Sequence, residues 1–230
     1  MATGSAPEAW FLRRGEAGYP AGLAPLLGEA APPALAGWGP AEMVGGLPWL
    51  GLVCSVRCPG DAILGAYDAA VALREAGVPV AGGFDAPMER ECLRFLLRGG
   101  QPLLICRPRG PAIARVDPSW RPALAEGRLI LLAAHAEAPR RLDRRSAAER
   151  NRLLAALSSG LFLPHARPGG HSEALVREAL GWGKAVYTLD LPANTHLLAA
   201  GVRPLPGDLA GLAAGAHPVG GAGREAAPSP

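Results

Sequence analysis

An α/β fold is predicted for this chain, a doubly wound and mostly parallel sheet with helices on both faces. Three observations carry that expectation. Short runs of continuous apolar residues recur, as in strands buried on both sides. Between them lie stretches with apolar residues at helical spacing. Glycine, proline and small polar residues punctuate the joins.

Taken in order, Leu50 to Ser55 is the first such strand, and Asp61 to Glu75 a helix with Ile63, Leu64, Tyr67 and Val71 at apolar positions. Val78 to Ala81 is the next strand, followed by a helix over Pro87 to Arg98. Leu103 to Cys106 is the third; a Pro/Arg-rich loop and a short helix around Pro122 to Glu126 lead to the fourth, Leu129 to Ala133. An Ala147 to Ser158 helix, a Leu161 to Pro164 strand, a Ser172 to Leu180 helix and an Ala185 to Leu189 strand follow. Thr195 to Ala200 is a last short helix. The sheet domain thus spans about 47–205. Residues 1–46, rich in Pro, Gly and Ala, are expected as a small helical or irregular cap. Residues 206–230 hold few large apolar groups and are expected as a disordered tail.

A chain of 230 residues with 49% hydrophobic content can bury one sizeable core. No apolar run reaches the roughly 18 residues that span a bilayer, and the N-terminus lacks the order of a secretory signal. A cytoplasmic protein with no membrane partner is expected. Cys54, Cys58, Cys92 and Cys106 include no CxxC pair, so no metal site is expected, and Cys54, Cys92 and Cys106 read as small core residues. Net charge is only +3, and Lys184 is the only lysine. Arginine forks phosphate bidentately, although an Ala, Gly, Pro and Arg-rich composition also fits a GC-rich coding bias.

Ligands in such sheets bind beyond the carboxyl ends of the strands. After the first strand stand Ser55 and Arg57; after the second, Gly82, Gly83, Phe84 and Asp85. After the fourth comes a basic segment over 139–152, in which six arginines face two acids and which ends in Arg150, Asn151 and Arg152. After the fifth come Arg167, Pro168, Gly169, Gly170, His171 and Ser172. The stretch from Glu149 to Glu178 sets a glycine turn and a helix start behind a buried strand, where backbone N–H groups hold phosphates. Each feature also has a plainer reading. Gly82-Gly83 makes a tight turn, Asp85 caps a helix, the arginines form a solvated face, His171 is incidental, and Glu173 complements the helix dipole. Their convergence on one edge of the sheet favours a site for a phosphorylated partner.

In this order, these residues resemble the DNA-processing protein A (DprA, or Smf) family, whose central domain is an extended Rossmann-like fold. Tyr19-Pro20 is similar to that family's YP opening, and the likeness continues through PPALAGWG at Pro32 to Gly39. LGLVCSVR resembles its IVGSR turn, and VPVAGGFD its VVSGGAxGID segment. ERECLRFLLRGGQPLLIC resembles the following helix, double glycine and strand. ERNRLLAALS resembles FPxRNRIIAGLS, the most specific piece, and AVYTLDLPANTHLLAAGV resembles the closing segment. The likeness covers about 19–205. It departs at Cys54 and Val56, at Met88-Glu89 in place of Ala-His, at Pro168, and at Asp190-Leu191-Pro192. No winged-helix segment is expected after it.

The resemblance implies a cytoplasmic homodimer that binds single-stranded DNA and helps load the recombinase RecA in natural transformation and recombination, with no cofactor and no catalytic residue. By carry-over, Ser55, Arg57, Gly82, Gly83, Arg150, Asn151, Arg152, Gly169 and Gly170 line the DNA groove, and Asp85 and Ser172 complete the expected DNA- and phosphate-binding set. Phe84 is the one aromatic placed for base stacking. The 150–170 stretch also resembles the Lonely Guy phosphoribohydrolases, whose turn ends in an essential glutamate; here Val176 holds that position and Glu173 stands three places early. A nucleotide N-glycosidic hydrolase and a nucleotide-sensing protein are the alternatives.

Overall fold

The structure is a computed structural model that describes residues 9–107, 116–133 and 144–215. The expected sheet is present: nine strands in the order β1-β2-β6-β5-β4-β3-β7-β8-β9. In chain order they are β1 (Trp10–Arg13), β2 (Ala34–Trp38), β3 (Leu50–Leu52), β4 (Val80–Gly82), β5 (Leu103–Arg107), β6 (Leu129–Ala133), β7 (Gly160–Leu163), β8 (Ala185–Thr188) and β9 (Arg203–Pro204). The pairs from β6 through β9 are parallel, while β1 pairs β2 and β2 pairs β6 antiparallel. The helices are α1 (Leu23–Leu27), α2 (Met43–Gly46), α3 (Gly60–Glu75), α4 (Pro87–Leu96), α5 (Arg121–Ala125), α6 (Arg144–Leu157), α7 (His171–Gly181), α8 (Thr195–Ala199) and α9 (Ala210–Ala213).

Alternating side chains of each strand feed two cores. On β5, Leu104 and Cys106 join Leu23, Leu27, Leu153, Leu154, Leu175 and Val176 under α1, α6 and α7. Leu103 and Ile105 of the same strand join Ala66, Leu73, Leu93 and Leu96 under α3 and α4. Both faces of the central strands are therefore dry, which explains their continuous apolar runs. Cys54, Cys92 and Cys106 are buried in these cores.

Two expectations are corrected. The segment 1–46 is not simply a helical or irregular cap, because β1 and β2 extend the sheet. Their register sets Trp10 opposite Gly37, where a Cβ would lie 2.4 Å from the indole ring. A missing side chain lets one bulky one lie across the strand pair. Within 206–230, Leu209 and Leu212 are buried around α9, so the segment to 215 packs; the remainder lies outside the described residues. So do 108–115, within the Pro/Arg-rich loop, and 139–143 of the basic segment.

The chain runs outward from β3 through β4 and β5 to β6, then crosses back to β7 on the other side of β3. That reversal opens a crevice at the carboxyl ends of β3 and β7. No described helix is long and apolar enough to cross a membrane.

Candidate functional site

A cavity of about 570 Å³ lies at the carboxyl ends of β4, β3 and β7. Four segments wall it: the loop after β3 (Cys54 to Arg57), the loop and helix start after β4 (Asp85 to Glu89), the outer side of α6 (Ala147 to Asn151) and the turn after β7 (Arg167 to Ser172). Strand direction alone produces this convergence, since parallel strands deliver all their following loops to one edge.

The deepest polar group is Glu89. Pro87 opens α4 and Glu89 stands in its first turn, so the carboxylate turns back over the helix start. Its Oε1 accepts the Cys54 N–H at 2.8 Å, and Oε2 accepts the N–H groups of Asp85 at 3.2 Å and Ala86 at 3.4 Å. These amides, at the ends of β3 and β4, are where an external anion would be received. The chain has placed its own carboxylate there. Glu89 is 5% exposed; burial pushes its pKa up, against the lowering effects of the Cys54 and Ala86 amides and of nearby Arg150.

Arg150 projects from α6 onto the β4 loop. Its side chain is 7% exposed, its Nη1 pairs with Asp85, and its Nε donates to Asn151 Oδ1 at 3.2 Å. A Cβ on Gly83 would sit 2.2 Å from the Arg150 Nη1, so Gly83 is the gap that admits the guanidinium. Gly82 plays the same part beneath the Phe84 ring, 2.6 Å from a Cβ placed there. Phe84 adopts φ +54° and is buried. A bulky residue in the left-handed region is held there by its surroundings. Phe84 therefore packs into the core and is not placed to stack on a base. Asp85 does not cap α4, whose N-cap is Ala86; it holds Arg150.

The turn after β7 is closed on itself in the same manner. Gly169 has φ +68°, the left-handed backbone that glycine adopts without strain. Its N–H donates to Glu173 Oε2 at 2.7 Å, and the Gly170 N–H donates to the Arg167 carbonyl at 3.0 Å. The Gly169 amide, foremost, holds the Glu173 carboxyl below its ordinary pKa, and Arg177 pairs with that carboxylate at 3.0 Å. The glycine amides expected to cradle phosphate are already engaged. Ser55 ties the two loops together: its N–H donates to the His165 carbonyl at 3.1 Å, and its Oγ accepts the Arg167 N–H at 2.9 Å.

Of the expected site residues, Ser55, Arg57, Asp85, Arg150, Asn151, Gly170 and Ser172 line the cavity. Gly82 and Gly83 stand behind the wall as packing positions, and Gly169 makes the turn beside Gly170. Arg152 points elsewhere, pairing through Nε with Glu178 of α7 at 2.5 Å. Outside that set, Arg167, His171 and Glu89 also bring charged or imidazole side chains to the lining. The first two lay in the same glycine segment; the third is marked by an acid following a proline at a helix start. The side chains of Arg57 and Arg167 are exposed, and among the described residues neither has an acid partner. Val176, at the position of the Lonely Guy glutamate, is fully buried in the core. Val56, Ala86, Pro87, Ala147 and Ala148 give the cavity an apolar side.

No protein-family model matches the chain, and no curated protein matches its sequence significantly. Solved structures do match its fold. DNA processing protein A (DprA) from Streptococcus pneumoniae superposes with a TM-score of 0.69 at 18% identity, over 88% of this chain and 73% of that one. DNA processing protein A from Helicobacter pylori, whose structure was described for a unique single-stranded DNA binding mode, superposes with a TM-score of 0.67 at 17% identity. That match covers 84% of this chain and 88% of the other. The α/β, Rossmann-like sheet and the DprA-type arrangement inferred from the motifs are both borne out as fold.

Proposed function

We propose that this chain binds single-stranded DNA along the carboxyl border of its sheet, as a DprA/Smf-like DNA-processing protein. The observation that carries the reading is the convergence of three loops and helix α6 on one cavity whose rim presents Arg57 and Arg167 with no acid partner among the described residues. Likeness of fold to two DNA processing proteins, one described for its binding of single strands, supports the same conclusion. Phosphates meet the rim arginines, Ser55 and Ser172, while sugars and bases lie on the apolar side formed by Val56, Pro87 and Ala147. No Phe, Tyr or Trp side chain lines the cavity among the described residues, so affinity rests mainly on phosphate contacts and falls steeply with salt. Assistance to RecA in transformation and recombination, a homodimer, and a cytoplasmic location complete the reading.

A fluorescent oligo(dT) titration at two salt concentrations tests it. Binding that weakens with salt, and that Arg57→Ala with Arg167→Ala reduces about tenfold with a shallower salt slope, is the expected result. Saturable binding of a mononucleotide with no affinity for oligo(dT) would turn the reading toward a nucleotide sensor, for which the cavity is large enough. Release of free base from a nucleoside monophosphate would establish a hydrolase instead. Stimulation of RecA filament assembly on coated DNA tests the finer role, and sedimentation tests the dimer.

A further inference from the structure

The loop that carries Ser55 and Arg57 is bracketed by two cysteines whose sulfurs lie 3.1 Å apart. Both are free thiols, Cys54 buried and Cys58 half-buried. Each has a second contact that fixes its direction: Cys54 Sγ donates to the His165 carbonyl at 3.3 Å, and Cys58 Sγ to the Ser55 carbonyl at 3.0 Å. A disulfide needs its sulfurs at about 2.05 Å. The thiols are thus held facing each other, about one ångström short of bonding.

We propose that Cys54 and Cys58 are a reversible dithiol–disulfide pair, oxidised by a low-molecular-weight disulfide, and that the bond resets the loop presenting Ser55 and Arg57 to the cavity. Cys58 starts the exchange because it is the more accessible and because the Cys54 thiol beside it lowers its pKa, whereas Cys54 is pushed up by that same contact and by burial. The Cys58 thiolate attacks one sulfur of the small disulfide, breaking that S–S bond and releasing one small thiolate. Cys54 then gives its proton to solvent and attacks Cys58 Sγ, expelling the second small thiolate. Two protein thiols become one disulfide, one small disulfide becomes two small thiols, and the two protons pass to the released thiolates. The ring from Cys54 to Cys58 is so short that closing it restrains the unfolded chain little. Such a bond suits an exchangeable state better than a permanent staple.

Bonding draws the two ends of the Ser55-Val56-Arg57 segment together and removes both thiol hydrogen bonds. Ser55 also accepts the Arg167 N–H, so the disturbance reaches both rim arginines. Cys92 and Cys106 are inert by comparison, both buried with thiols pushed up to about 12, chiefly by loss of water. The covalent claim is independent of what the cavity binds; its effect on affinity rests on the nucleic-acid reading.

The test treats the full chain with oxidised glutathione, blocks remaining thiols, and digests the unfolded protein with trypsin without reductant. Cleavage after Arg57 separates Cys54 from Cys58, so the bond appears as a linked pair of peptides, one ending at Arg57 and one starting at Cys58. The expected result is that pair, reversed by dithiothreitol and absent in Cys58→Ser, with Cys92 and Cys106 blocked only after unfolding. Persistent glutathione on Cys58, a link through another cysteine, or no change would overturn the proposal. Oxidised protein is expected to bind oligo(dT) about threefold more weakly, the scale of one exposed ionic contact. Equal affinity of the two forms would overturn the resetting of the loop. Absence of oligo(dT) binding in both forms, with the cross-link present, would count against the nucleic-acid reading alone.

Discussion

The inner wall of the cavity and its outer rim are built from the same kinds of group in opposite states. Inside, the amides at the ends of β3 and β4 are bound by Glu89 and the Arg150 guanidinium by Asp85, while in the turn after β7 the Gly169 amide is bound by Glu173. At the rim, Arg57 and Arg167 stand exposed, with no acid partner among the described residues. Loop geometry therefore does not by itself identify a receptor. An amide cluster or a buried arginine at a strand end is equally suited to holding the protein's own carboxylate. The difference assigns folding to the inner wall and binding to the rim.

The largest expected effect follows from emptying the wall. Glu89→Ala leaves the N–H groups of Cys54, Asp85 and Ala86 without their acceptor, and a loss of about 3 kcal/mol in denaturant unfolding is expected. The same variant sharpens the comparison. If Glu89 occupies an anion position, inorganic phosphate should raise the melting temperature of Glu89→Ala and leave that of the unaltered chain unchanged. An equal response in both proteins would mean that the rim, not the vacated wall, holds the ion. Gly83→Ala comes next: its methyl would displace the Arg150 guanidinium from Asp85, at a cost of about 2 kcal/mol. No loss in denaturant unfolding would show that Arg150 moves aside freely and that the wall is not rigid.

Much of this was legible in the residues. The central strands announce themselves because both faces are buried, so Leu103 to Cys106 and Leu129 to Ala133 need no alternation to be recognised. β1 and β2 are different: they lie in a Pro, Gly and Ala-rich segment, and long-range pairing, β1 with β2 and β2 with β6, makes them strands, with Trp10 lying over Gly37. The loops that surround the cavity could be named in advance, since parallel strands send them to one edge. What each group does there could not, because its partner lies far along the chain. Gly83 is explained by Arg150, and the Cys54 amide by Glu89. Glu89 itself carried a local signal, an acid in the first turn after Pro87, which marks a carboxylate folded back on a helix start.

At the rim the expected effect is on binding rather than folding. Arg57→Ala with Arg167→Ala should lower oligo(dT) affinity about tenfold while leaving the unfolding midpoint nearly unchanged, since exposed charges contribute little to stability. A fall in stability of the size expected for Glu89→Ala would erase the distinction between wall and rim.

Arg152→Ala should have the smallest effect, and for a reason of helix geometry. Arg150 and Arg152 are two residues apart on α6, and such positions do not share a face. With Arg150 turned toward the β4 loop, Arg152 is carried round to α7, where it meets Glu178. That pair is about a third exposed on both sides, so its removal should lower stability by only about 0.5 kcal/mol. Oligo(dT) affinity and its salt slope should stay as they were. A tenfold loss of affinity in Arg152→Ala would place the nucleic acid across the α6–α7 surface, and the cavity would then be a neighbour of the binding track rather than its centre.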